Sequence, residues 1–292
     1  MCPGIIDIHT HYDAQLTWDP TASPSLGLGV TTAIIGNCGF TIAPCRKKDR
    51  ALNMKNLTKV EGMPYQTLKK GIDWNYNTYS EYLKLLEDKK LSLNICSYIG
   101  HSALRIWCMG EDAMKRKATE EEIVEMESIV KDAMKNGSIG FATSTFEGHN
   151  GANGVPMPSR FATKEEIRRL VAAMACQGRG IFMLTKSNTD NVKDIANIIG
   201  DSKRPAMIAP ILYNPMKKNW AIDTLNEINR ETKRGFEIWG QVSCRPLTME
   251  FTMEEPYMLE GLESWKPIMV EKNIEKKLII FKDKKYFSRI NT

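Results

Sequence analysis

Twice in succession this sequence runs a capped, one-sided helix straight into an apolar strand, and that repeat limits the folds open to it. Thr119 stands where an N-cap oxygen is needed, and Glu122, three residues on, completes a capping box. Ile123, Met126, Val130, Ala133 and Met134 then share one helical face, and Asn136-Gly137 ends the helix. Ser138-Ile139-Gly140-Phe141-Ala142-Thr143 follows at once as a strand. The device recurs: Thr163 caps, Glu166 closes the box, Ile167, Leu170, Val171 and Met174 form the stripe, and Gly178 stops it before the strand Gly180 to Thr185. Strands alternating with amphipathic helices require a parallel sheet with helical crossovers.

The same pattern extends in both directions. Ile5 to Ile8 is an apolar run, Val30 to Ile35 a β-branched strand, and Leu93 to Ile99 a third. Ala206 to Leu212 and, after a helix near 218–233, Phe236 to Val242 supply the sixth and seventh. Seven such strands predict an α/β fold, a TIM-type (β/α) barrel over residues 1–292, with functional side chains at the C-terminal strand ends. No eighth strand is legible after Met249, so the barrel reads as incomplete and its open edges invite self-association. Residues 41–90 are polar and irregular, an insertion between strands two and three that would cover the site; Trp74, Tyr76, Tyr79 and Tyr82 lie near its end. Residues 249–292 form a Lys-rich C-terminal segment.

Composition narrows the function classes. Hydrophobic content of 42% and charged content of 26% are those of an ordinary globular protein. No apolar run approaches membrane-spanning length, and no leader peptide is legible ahead of the first strand. The seven cysteines are odd in number and scattered, which points to a reducing compartment, the cytoplasm. Net charge is a mild +5, and Lys266, Lys272, Lys276, Lys277, Lys282, Lys284, Lys285 and Arg289 are interrupted by Glu271, Glu275 and Asp283. That is a solvated helical face, so neither nucleic acid nor membrane is an expected partner.

The chemistry concentrates where strands end. His9 and His11 close the first apolar run two residues apart, so on an extended strand they project from one face and can grip one divalent metal. The bland alternative is a pair of satisfied histidines finishing a strand. Asp7, inside the apolar run, needs a partner. Cys38, in Gly36-Asn37-Cys38-Gly39 after the second strand, offers a thiolate that zinc accepts beside imidazole, or is a small buried hydrophobe. His101 follows the third strand and suits a substrate contact, a hydrogen bond behind the site or a loop role. Arg105 could meet a carboxylate of substrate or of the protein. Ser159 and Arg160 close a Gly-rich loop, Ser144 to Arg160, that reads as a mobile lid or turn and whose His149, between Gly148 and Asn150, reads as solvated. Lys186, after the fifth strand, reads as facing solvent.

Pro3-Gly4-Ile5-Ile6-Asp7-Ile8-His9-Thr10-His11 resembles the opening barrel strand of the amidohydrolase superfamily. His11-Tyr12-Asp13-Ala14-Gln15 and Trp18-Asp19-Pro20 narrow the resemblance to the N-acyl-D-amino-acid deacylases (D-aminoacylases). Gly36 to Thr41 with Ala43-Pro44-Cys45-Arg46, Gly100 to Arg105, Pro158-Ser159-Arg160, Phe251-Thr252-Met253 and Trp265-Lys266-Pro267 are similar to segments of that family. The resemblance implies one or two divalent ions, zinc above all, held by His9, His11 and Cys38. It also implies a small-molecule substrate, an N-acyl-D-amino acid, contacted by His101, Arg105, Ser159 and Arg160. Two departures stand out. The family has a small β-sandwich, part of it ahead of the barrel, and an eighth strand carrying a catalytic aspartate. It also takes two further metal histidines from strands five and six, whereas none of the four histidines here lies beyond His149. The catalytic acid–base is therefore unassigned, with Asp13, Asp19 and Lys186 the first substitutes to consider. Two other readings stand beside deacylase: an inactive barrel fragment or pseudoenzyme, and a cyclic amidase, which usually needs a strand-four lysine that 138–144 lacks.

Overall fold

Apolar runs joined by helical crossovers leave a parallel sheet as the way to pair every backbone group, and the computed structural model has that arrangement. The structure describes residues 2–60, 62–151, 154–200, 202–215 and 217–245, and beyond them 248, 263–265, 267–268, 271 and 273–290. Seven strands, β1 (Ile5–Asp7), β2 (Val30–Ile35), β3 (Asn94–Gly100), β4 (Gly140–Ser144), β5 (Ile181–Thr185), β6 (Ala206–Ala209) and β7 (Ile238–Gly240), pair in sequence order. Every neighbouring pair is parallel, with registers such as Ile34 beside Cys96, Ile99 beside Phe141 and Leu184 beside Ile208. The sheet curls as an incomplete TIM-type barrel.

Residues 41–90 are not irregular. They contain α1 (Arg50–Val60), α2 (Tyr65–Gly71) and α3 (Tyr79–Asp88). Thr78 caps α3 in a reciprocal box with Glu81, and its buried face carries Tyr79, Tyr82 and Leu86. The Tyr82 hydroxyl donates to the Asp13 carbonyl at 2.9 Å and that of Tyr79 to the Ser97 carbonyl at 3.0 Å. This segment is thus fastened to the loop after β1 and to the middle of β3.

The remaining helices are α4 (His101–Met109), α5 (Glu120–Lys135), α6 (Lys164–Met174), α7 (Val192–Ile199) and α8 (Trp220–Lys233). The Thr119–Glu122 capping box of α5 forms as expected. In α6 only half of it does: Thr163 accepts from the Glu166 backbone N–H, but the Glu166 side chain turns into the core instead of back to the cap. Two short helices, Ile274–Lys282 and Lys284–Ile290, carry the Lys-rich segment. Most of residues 249–272 lie outside the described residues.

Strand limits shift for local reasons. β6 stops at Ala209 because Pro210 has no N–H for the ladder. β1 ends at Asp7, so His9 and His11 lie just past the strand rather than on it. Nor is β1 buried. Ile5, Ile6 and Ile8 are 54%, 59% and 41% exposed, because among the described residues β1 pairs with β2 alone. The core lies between sheet and helices, where Phe141 and Phe182 of adjacent strands stack with ring centroids 6.1 Å apart.

Candidate metal centre

The turn after β2 is shaped to aim one side chain. Gly36, Cys38 and Gly39 all have positive φ, +79°, +58° and +74°. A Cβ at Gly36 would stand 2.6 Å from the Tyr98 carbonyl oxygen, and one at Gly39 2.7 Å from that of Ala142, so only glycine fits either place. Cys38 has a Cβ and tolerates the left-handed conformation at a cost of about 1–3 kcal/mol, a strain characteristic of functional positions. Side chains of the His9–Asp13 segment fasten this turn. The Asp13 carboxylate accepts from Gly36 N–H at 3.0 Å, and the Thr10 hydroxyl donates to the Ile34 carbonyl at 2.8 Å. The Asn37 amide donates to the Ile34 and Thr10 carbonyls.

Three donor atoms converge as a result. Cys38 Sγ lies 3.5 Å from His9 Nε2 and 3.9 Å from His11 Nε2, and His9, His11 and Cys38 group their donor atoms within 4.8 Å. A tetrahedral ion with bonds of about 2.3 Å to sulfur and 2.0–2.1 Å to nitrogen separates neighbouring ligand atoms by roughly 3.5 Å. The two sulfur–nitrogen spacings are close to that value. The protonation pattern fits as well. His9 Nδ1 lies 2.7 Å from Gln241 Oε1, while the Gln241 amide N–H points at Met207 Sδ. The carboxamide therefore presents its oxygen, Nδ1 carries the proton, and Nε2 keeps its lone pair for a metal ion. Burial alone would raise the Cys38 thiol, but the imidazoles of His11 and His9 beside it bring it down to about 6. The Thr185 hydroxyl, at the end of β5, donates to Cys38 Sγ at 3.1 Å. Asp7 has its partner, accepting from His9 N–H at 3.2 Å.

Other candidates fall elsewhere. His101 and Arg105 are fully buried and meet each other's partner, Glu166, rather than the cluster. Arg105 Nη1 reaches both Glu166 oxygens at 2.5 and 2.6 Å, and His101 spans Glu166 (2.9 Å) and the Thr143 hydroxyl (2.7 Å). As the chain is folded, the carboxylate that Arg105 meets is the protein's own, and His101 shares it. Ser159 is also fully buried, its hydroxyl pinning the loop to the Ser144 carbonyl at 2.8 Å. Arg160 stays half-buried, with Nη1 on the His149 carbonyl and Asn150 Oδ1. Lys186 does not face solvent. It is 8% exposed, and its amine donates to the carbonyls of Ser187 and Asp190 and lies over the Trp220 ring. Asp19 is occupied bracketing its own loop through Thr21, Gln15 and Ser23.

His149 is not solvated either. Its ring packs edge-to-face on Phe40, 4.8 Å between centroids, and on Phe146 at 5.2 Å. Phe40 in turn lies 6.3 Å from the His11 ring. Gln241, Thr185, Glu166 and His149 are the residues that sequence reasoning missed or misplaced. For Glu166 the capping signal was a decoy, and for Gln241 no local signal exists.

A family model described as "Amidohydrolase family" matches residues 1–255. A D-aminoacylase of Alcaligenes xylosoxydans xylosoxydans is 31% identical over 182 residues, 62% of this chain and 33% of the relative. An uncharacterized protein of Mycobacterium tuberculosis is 31% identical over 187 residues, 61% of this chain and 30% of the relative. The chain thus spans about a third of the length of these curated relatives. Among solved structures, D-aminoacylase, studied for its binuclear metal centre, superposes with a TM-score of 0.65 at 25% identity, covering 84% of this chain and 48% of that one.

Proposed function

The chain belongs to the amidohydrolase family, and from that premise we propose that its His9–His11–Cys38 cluster holds zinc and serves hydrolysis of the linear amide bond of N-acyl-D-amino acids. The observation that carries this reading is the convergence of two imidazole Nε2 atoms on one thiol, 3.5 and 3.9 Å away, in a chain similar to a D-aminoacylase. Zinc suits a mixed nitrogen and sulfur set, and three protein ligands leave a position open for chemistry. Bound there, a divalent ion polarises an amide carbonyl and lowers the pKa of water to about 7. The chain's own residues prepare that site. Gln241 fixes the His9 tautomer, Thr185 steadies the thiolate, and Asp13 holds the Cys38 turn in place.

The substrate carboxylate is assigned to Arg160, whose Nε and Nη2 make no hydrogen bond within the described residues, with Ser159 anchoring its loop. A second reading, metal binding with little turnover, draws support from the cluster itself. Among the described residues its metal-type donors are two histidines and one cysteine, with no carboxylate. General acid–base catalysis contributes about 10²–10⁴-fold, so slow turnover is expected of this chain. We place the protein in the cytoplasm, the compartment that suits seven free cysteines. Self-association through the β1 and β7 edges is part of the same proposal. No helix among the described residues is long and apolar enough to cross a membrane.

The test is elemental analysis together with assay of N-acetyl-D-methionine and N-acetyl-D-glutamate in added zinc. The wild-type chain should retain zinc and release free amino acid slowly, and His9→Ala/His11→Ala should lose both. Unchanged metal content in the double variant would sink the metal assignment. Zinc retained with no hydrolysis would favour the second reading.

A further inference from the structure

His149 is the one histidine that the metal reading and the buried Glu166 network leave unused. Its backbone is fully engaged: its N–H donates to the Phe146 carbonyl, and its carbonyl accepts from Met157 N–H and Arg160 Nη1. The loop bearing it is closed by a bridge between Asn150 and Pro156 and by the Ser159–Ser144 bond. The imidazole is therefore held in place, wedged between Phe40 and Phe146. Phe40 follows the Cys38 turn directly and faces His11, so the ring stands beside the cluster.

The hydrogen bonds also fix which nitrogen carries the proton. Ser144 Oγ accepts from Phe146 N–H at 3.2 Å, and its one other hydrogen bond among the described residues is with His149 Nδ1 at 2.6 Å. The hydroxyl hydrogen has Nδ1 as its acceptor, which leaves the imidazole proton on Nε2. No described residue hydrogen-bonds to Nε2, and the ring is half-buried rather than sealed. Burial, with the Arg160 guanidinium nearby, holds the imidazole well below its ordinary range, so it remains a neutral donor at neutral pH.

We infer that His149 is a substrate-contacting residue, donating its Nε2 hydrogen to an oxygen of the N-acyl amino acid bound at the cluster. The inference rests on the deacylase reading above. An aimed, half-buried donor stabilises negative charge on oxygen without reorganising, and Arg160 on the same loop supplies the charged partner.

Calorimetric titration of the zinc-loaded full chain with N-acetyl-D-methionine tests it, alongside zinc analysis and nitrogen NMR of the histidines. His149→Phe keeps a ring for Phe40 and Phe146 but removes the donor. The dissociation constant should rise about tenfold, with zinc content unchanged. His149→Gln, which retains an N–H near the Nε2 position, should recover part of the loss. In the unliganded protein NMR should show the Nε2–H tautomer, shifted to Nδ1–H in Ser144→Ala. Equal binding by His149→Phe and wild type would overturn this inference alone, as would an Nδ1–H tautomer in the wild type or zinc lost on the Phe substitution. A wild-type chain that loads zinc yet neither binds nor hydrolyses the probe would overturn the deacylase reading and this inference with it.

Discussion

His9 Nδ1 and Gln241 Oε1 lie 2.7 Å apart, joining residues 232 positions apart in the chain. The contact draws the C-terminal end of β7 against that of β1, so the first and last described strands meet at the site even though they do not pair as strands. Gln241 continues the sheet beyond β7, donating its N–H to the Ile208 carbonyl at 2.8 Å and accepting from Ile211 N–H at 2.7 Å. The candidate metal centre is thereby tied to the curl of the sheet.

The first prediction follows from that tie. Gln241→Ala frees the His9 ring to rotate and to exchange tautomers, and outer partners of this kind are worth about 10–100-fold in metal affinity. Zinc competition with a chromophoric chelator should show a loss of that size. Gln241→Glu, which keeps an acceptor at the same reach, should largely preserve affinity. Unaltered binding by Gln241→Ala would mean that His9 is oriented by something else.

Gly39→Ala tests the Cys38 turn. The new methyl would meet the Ala142 carbonyl oxygen at 2.7 Å on a backbone at φ +74°. The conformation alone costs about 1–3 kcal/mol, and the neighbour is backbone of β4, which cannot swing away. The urea midpoint should fall and zinc content with it, because the turn that aims Cys38 must move. A variant as stable as the wild type, with full zinc, would show that the turn relaxes freely.

Glu166 should make the fold acid-sensitive. Burial pushes its carboxyl up, but hydrogen bonds and charge from His101 and Arg105 outweigh burial and hold it at about 2, below the ordinary 4.5. A depressed carboxyl stabilises the fold above its unfolded value, and that contribution is lost as pH falls from about 4.5 towards 2. His101 acts in the same direction, since burial lowers its pKa from the ordinary 6.5 and acid must charge it. Urea unfolding should therefore weaken steadily below pH 6.5 and more steeply below 4.5. Glu166→Ala leaves Arg105 buried without its counter-ion, at a cost of about 3–5 kcal/mol at neutral pH. A loss under 1 kcal/mol, or a wild-type stability flat across that acid range, would contradict this account.

What could be read in advance divides by the range of the forces involved. The parallel sheet was legible because each strand and its following helix carry their own periodicity and caps; the convergence of His9 and His11 was legible from their spacing at a strand end, and that of Cys38 with them from the family resemblance. α1 was not, since Arg50 to Val60 has no apolar stripe, and its helix depends on what it packs against. α3 could have been found: Thr78 and Glu81 spell the same capping signal that marks α5. Glu166 shows the limit of that signal, because a caps-and-spacing argument cannot tell a carboxylate that returns to its cap from one that neutralises Arg105 in the core. Gly148 and Asn150 made His149 look exposed, and only the positions of Phe40 and Phe146 seat it.

The last prediction concerns the two sheet edges. Among the described residues β1 pairs only with β2 and β7 only with β6, so each leaves a row of unpaired backbone groups. Both edges are also apolar at their surfaces. Ile5 and Ile6 on β1 are 54% and 59% exposed, and Trp239 on β7 and Val242 beyond it are 59% and 67% exposed. Unpaired, apolar edges are templates for strand addition, and mass action favours their burial as concentration rises. Sedimentation velocity of the full chain should show concentration-dependent association. Ile6→Lys and Trp239→Lys place a charge on each edge without touching the donor atoms of His9, His11 or Cys38, so each should shift the distribution towards monomer with zinc content unchanged. If the wild type sediments as a single monomer across a hundredfold range of concentration, the edges are covered by other parts of the chain. If it associates but neither lysine variant weakens the assembly, association runs through a different surface.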